Sequence, residues 1–195
     1  SRTISEVLSS QSGRLWYGPK AQPRPARLWL RKGVGGVFAP FIFQTPQVVD
    51  QRCNYVVAKD GITEEELAAV LTSTCFAFSA EVNGSTSMGA GVIELATSKL
   101  KGYPVPDVRL WSSRDRASLV KLATSVWTQE EPVDWTRSKP GPNLTALDQH
   151  VLKRLNPSVS ADRLYADMKA LVQARYRLAA DKTGKQKKKH SESIG

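Results

Sequence analysis

The stretch RLWLRKGVGGVFAPFIF, residues 27–43, decides how this chain is read. Its first five residues alternate, and side chains of a strand point to opposite faces in turn. A strand here sends Leu28 and Leu30 to a core and leaves Arg27, Trp29 and Arg31 on the other face. The glycines of GVGG then make a turn, and the β-branched and aromatic run behind it makes a second strand, so the pair reads as two strands or a hairpin. Pro40 inside that run argues for an edge position or a bulge, because proline has no amide to give a neighbouring strand. NYVVA, residues 54–58, is a third strand.

Working outward, the pattern turns helical. Thr63 and Glu66 have the spacing of a capping box, and Leu67, Val70 and Leu71 fall on one face. CFAFSAEV, residues 75–82, fits either a continuing helix or a strand. NGSTSMGAG, residues 83–91, is a small-residue turn leading into the short strand GVIEL. From Ser112 onward three helices are expected: one capped by Ser113 that buries Leu119, Leu122, Ala123 and Val126, one from Thr145, and one after Ser160. EEPVDWTRSKPGPN, residues 130–143, reads as a proline-rich linker. KTGKQKKKHSESIG, residues 182–195, has one apolar residue and reads as disordered.

The expected fold is therefore α+β. A mixed, mainly antiparallel twisted sheet with flanking helices fills the first half, a helical part follows, and a disordered basic tail ends the chain. The expected divisions are 1–110, 111–181 and 182–195. At 195 residues such a body buries roughly 70% of its unfolded surface and needs no disulfide or metal to fold. Two cysteines, Cys53 and Cys75, are too few for a disulfide framework and read as reduced structural thiols of a cytosolic, cytoplasmic protein. No apolar run reaches the ~20 residues of a membrane span and no signal-peptide pattern opens the chain, so no membrane partner is expected. Beginning at Ser1, not methionine, the chain reads as a piece of something longer.

Charge points to a partner. The net charge is +10, and the first 60 residues hold nine basic groups against three acidic while the last 14 hold five against one. Such an excess favours a polyanion. Arg24, Arg27, Arg31 and Lys32 interleave with Trp29, near Trp16 and Tyr17, and cations beside aromatic rings suit phosphate contact and base stacking. Arg52 adds a further phosphate anchor. Gln44 and Gln47 carry amides able to pair with an adenine edge. Ser85, Thr86 and Ser87 offer short hydroxyls and Met88 an apolar tip, a set able to lie along a groove.

Catalytic groups are scarce. His150 sits in a predicted helix and His190 in the tail, which disfavours a histidine metal site or a Ser-His-Asp arrangement. No phosphate-binding loop or dinucleotide fingerprint occurs. Glu64, Glu65 and Glu66 read as the first turn of a helix, meeting the positive end of its dipole. The chain alone reads as no enzyme.

NYVVAKDGI, LAAVLTSTCFAF and NGSTSMGAGVIELATSKLKGYPVPD, in that order, resemble the C-terminal specificity region of TaqI-like N6-adenine DNA methyltransferases. They are also similar to the target recognition domains of type I restriction specificity subunits. The matching pieces are residues 54–58, 67–73, 84–91, 92–95 and 100–106. LTALDQHVLKRL and LYADMKALVQARYRLA resemble the helical tail of such enzymes. The resemblance spans about residues 40–180.

It implies a DNA target recognition domain that reads double-stranded DNA for a catalytic methyltransferase domain lying upstream or on another chain. Arg31, Lys32 and Arg52 would hold phosphates, Lys99 and Lys101 could touch phosphate, and the turn at Ser85 to Met88 would face the DNA. S-adenosylmethionine is expected in the separate catalytic domain and no cofactor in this chain. The family's glycine motif for that cofactor and its [DN]-P-P-[YFW] motif are absent, since Asn156-Pro157 is followed by Ser158-Val159. Two other readings of the residues stand beside it: a protein-interaction module with an incidental basic tail, and an RNA-binding domain stacking bases on Trp16, Trp29 or Phe43.

Overall fold

A computed structural model describes residues 25–50, 52–59, 61–86, 91–100 and 102–192, the last eleven through the helical backbone alone. The fold is α+β. The central strand β1 (Ala26–Arg31) lies between β3 (Phe41–Gln47) and β4 (Cys53–Val56), antiparallel to both. The expected edge position of the proline-bearing strand is seen, with Pro46 inside β3 and Pro40 just before it. What separates β1 from β3 is more than a turn. Gly33–Val34 forms β2, paired with β5 (Ile93–Glu94), and Leu95 N–H donates to Lys32 O at 2.6 Å.

Alternation along β1 gives each face its character. Leu28 and Leu30 enter a core with Leu71, Phe76, Ile93 and Leu95. Burying a leucine of this kind contributes about 2 kcal/mol, so the pair fixes which side of the strand turns inward. Asn54 of β4 also points inward: its amide donates to Leu95 O at 2.9 Å and its oxygen accepts from the Thr97 hydroxyl at 2.6 Å. That ties β5 and the short helix α3 (Thr97–Leu100) to the sheet.

Helix α1 (Glu64–Thr72) begins with the expected capping box, Glu66 N–H on the Thr63 hydroxyl and Thr63 N–H on the Glu66 carboxylate. Ser73, extended at φ −64 and ψ 149, separates it from α2 (Thr74–Asn83). The ambiguous CFAFSAEV is thus helical. Its periodicity is blurred because it is apolar on two sides: Phe76 and Ala80 join the sheet core, and Ala77 and Phe78 join a cluster with Trp135, Met168 and Val172.

Helices α4 (Ser113–Gln129), α5 (Pro142–Leu155) and α6 (Ala161–Glu192) complete the molecule. Ser112 caps α4, one residue before the expected Ser113, and α5 starts three residues before the expected Thr145. Ala69 and Val70 of α1 share a buried cluster with Leu119, Ala123, Leu147 and Val151, so this core reaches across position 110.

One expectation is corrected. The segment expected as a linker is pinned: the Trp135 side chain is buried, its backbone N–H donates to Gly36 O at 2.9 Å, and Asp134 bridges to Val37. The backbone of α6 is described to Glu192, and residues 193–195 lie outside the described ones. Among the described residues no helix is long and apolar enough to cross a membrane.

Candidate nucleic-acid interface

The outward face of the sheet collects the residues singled out for binding. Trp29 lies opposite Phe41 on one side and Tyr55 on the other, and Arg31 lies opposite Cys53. The exposed Arg31 guanidinium sits 5.1 Å from the centre of the Phe41 ring, a cation–π contact that holds it over the sheet. Beside it opens a hollow of about 780 Å³ lined by Arg31, Lys32, Phe41, Phe43 and Arg52, with Asp50 and Glu94 on its wall. Lys32 and Arg52, twenty positions apart, are neighbours because Lys32 N–H donates to Arg52 O at 2.8 Å.

The charge in this hollow is mixed. Arg52 Nε is 3.0 Å from the Asp50 carboxylate, which the guanidinium holds below its usual range, while Asp50 raises Arg52 in return. Both side chains are largely exposed, so a phosphate competes with Asp50 for Arg52 in water rather than in a dry site. Arg31 and Lys32 have no carboxylate within ion-pair distance among the described residues.

Two expected contact residues have partners within the protein. The Arg27 guanidinium is held by Glu64 at 3.2 Å, Glu65 at 3.0 Å and the Phe43 carbonyl at 3.2 Å, so it ties α1 to the sheet. Glu65 titrates below its usual range, first through its own backbone amide and then through Arg27. Trp29 is 3% exposed and its indole N–H donates to Ala26 O at 2.8 Å. It props the face without presenting its own ring.

The rest of the set is scattered. Gln44 and Gln47 are exposed on β3, and the Gln47 amide donates to the Thr45 hydroxyl at 2.9 Å. Ser85 is laddered to Glu94 by two backbone hydrogen bonds of 3.2 and 2.7 Å, and Thr86 is exposed beside it. Lys99 is exposed on α3, outside the lining of the hollow. Ser87, Met88 and Lys101 lie outside the described residues, as do Trp16, Tyr17 and Arg24. Sequence reading missed Phe41 and Tyr55. Both follow from the strand register, which places them across from Trp29 but which no local pattern reveals.

Chemistry elsewhere is structural. His150 Nε2–H donates to Asp115 O at 2.9 Å, and burial lowers the imidazole's affinity for a proton. Arg154 pairs with Asp115 and stacks over Trp111. Glu66, after closing its capping box, receives the Arg116 guanidinium at 2.5 and 2.6 Å, which holds it below the usual carboxylate range. Cys53 and Cys75 are free, and burial pushes the Cys75 thiol up to about 12, far from a reactive thiolate. Among the described residues no three His, Cys, Asp or Glu side chains gather as metal ligands.

A second cavity, about 380 Å³, lies between β3 and the helices, lined mainly by Phe38, Ile42, Trp127, Val133 and Trp135. Two polar groups on its wall are engaged within the protein, the Thr72 hydroxyl by Trp127 Nε1–H and the Glu130 carboxylate by two amides of α5. The chain matches no protein-family model, no curated protein and no solved structure.

Proposed function

We propose that the chain is the DNA-reading part of an adenine-specific (N6) DNA methyltransferase or restriction-modification enzyme of the cytoplasm. The observation that carries this reading is the hollow: Arg31 and Lys32, and Arg52 twenty positions further on, line one open surface together with Phe41 and Phe43. Cations around an open, aromatic-lined groove suit a sugar-phosphate backbone. In this reading Arg31, Lys32 and Arg52 fix the register on duplex DNA, and Gln44, Gln47 and the turn at Ser85 and Thr86 read base edges. Chemistry belongs to a separate domain that binds S-adenosylmethionine and receives the target adenine outside the stack.

The test is duplex-DNA binding by fluorescence anisotropy across a series of salt concentrations. The lysines at 182, 185, 187, 188 and 189 are changed to glutamine throughout, so that the basic end contributes nothing. Arg31→Ala with Lys32→Ala should weaken binding to all duplexes alike and make the log–log salt slope shallower by about 1.8, the share of two phosphate contacts. An unchanged slope removes the hollow from the interface. Absence of duplex binding before those two changes overturns the reading.

A further inference from the structure

The same face carries a feature that phosphate anchoring leaves unused. Tyr55, Trp29 and Phe41 are register partners on three adjacent strands, so their rings form a row across β4, β1 and β3. The row is asymmetric. Trp29 is 3% exposed with its N–H spent on Ala26, whereas Tyr55 on the edge strand is 48% exposed. The two rings meet edge to face, 6.0 Å apart at 70°, so Trp29 holds the tyrosine ring in place and leaves its own surface covered. At the other end Arg31 offers a second flat surface over Phe41.

We propose that this row is a stacking platform for an unpaired nucleotide. It rests on the reading of the face as a nucleic-acid interface and adds what that interface selects. A base inside a duplex has both its faces covered by neighbours 3.4 Å away, so an exposed aromatic ring has nothing to stack on there. A bulged, extruded or single-stranded base does present a face. The two ends of the row are two strand spacings apart, about 10 Å, which is local enough to serve one nucleotide and its neighbour. Charge complements the platform: Arg31 lies over the Phe41 end of the row and lines the hollow there with Lys32 and Arg52, so a phosphate at that end meets cations.

The probe is 2-aminopurine, whose fluorescence falls when it stacks, placed as a single unpaired residue in a duplex. The full chain should bind this bulged duplex roughly ten-fold more tightly than the fully paired one, with quenching. Tyr55→Phe should keep the preference. Tyr55→Ala should abolish both preference and quenching while leaving paired-duplex affinity unchanged, with the thermal melt lowered only by the lost edge contact to Trp29. Equal affinity for bulged and paired duplexes, or a preference that survives Tyr55→Ala, overturns the platform. Tyr55-dependent quenching on a single strand of DNA or RNA without any paired-duplex binding would uphold the platform and sink the duplex-reading proposal, so the two fail separately.

Discussion

Asp148 shows what a single residue does when water is taken away from it. It is fully buried in the middle of α5, and its carboxylate accepts from Thr74 N–H at 2.8 Å, the Thr74 hydroxyl at 2.6 Å and the Tyr165 hydroxyl at 2.9 Å. Those bonds favour the charged form, but desolvation outweighs them and pushes the group up to about 6. The native state therefore holds this proton more tightly than the unfolded chain, whose aspartates titrate near 3.9. From about pH 4 to 6 the residue's contribution declines as pH rises, by up to roughly 3 kcal/mol. Glu66 and Asp115, held low by arginines, act in the opposite sense and weaken the fold as pH falls. Urea unfolding of the wild type and of Asp148→Asn across this window separates the two. The wild type's advantage over the variant should shrink as pH rises, and a difference that stays flat would show that Asp148 is already ionised at pH 4. Nothing near Asp148 in the sequence announces its role, because its partner Thr74 is 74 positions away.

At the scale of elements, the same distance separates what was legible from what was not. The capping box of α1 spans three residues and was readable, as was the alternation of β1. Helices α2 and α5 have no side-chain cap from their own N-cap residues, Ser73 and Gly141. Each borrows a carboxylate instead: Asp148 meets the first amide of α2, and Glu130, just past the end of α4, accepts from Asn143 N–H at 2.6 Å and Leu144 N–H at 3.1 Å. Gly141 permits this, since a Cβ there would strike the Glu130 carboxylate. Glu130→Ala should lower stability by about 1 to 2 kcal/mol, read as a shift in the urea midpoint with an unchanged slope. A shift no larger than that of an exposed control such as Glu131→Ala would mean that α5 needs no cap. The strands β2 and β5, two residues each, were beyond any pattern, since alternation needs more than two positions to show itself.

The whole molecule is held across its halves by a pair no local reading would predict. Arg175 of α6 and Glu81 of α2, 94 positions apart, are 2.7 Å from each other with side chains 5% and 3% exposed. The guanidinium also donates to Gly35 O at 2.9 Å, joining the glycine turn behind β1 to the last helix. No local pattern around Arg175 points to a partner 94 positions away. Arg175→Met should cost about 3 to 5 kcal/mol, because it strands a buried carboxylate, and adding Glu81→Leu should recover much of that loss. A double variant no better than the single one would show that packing of the arginine, not its charge, is what counts.

One feature of the glycine-rich turn bears on how this protein can change over time. Ser85 is fixed to Glu94 at one end of the segment, and Gly91, at φ +71, lies against the Tyr176 ring at the other, where a Cβ would meet the ring at 2.9 Å. Any side chain at position 91 would need both a left-handed backbone and room that the Tyr176 ring already fills. A lineage can therefore drift at the exposed Thr86, but Gly91 is a letter it has to keep.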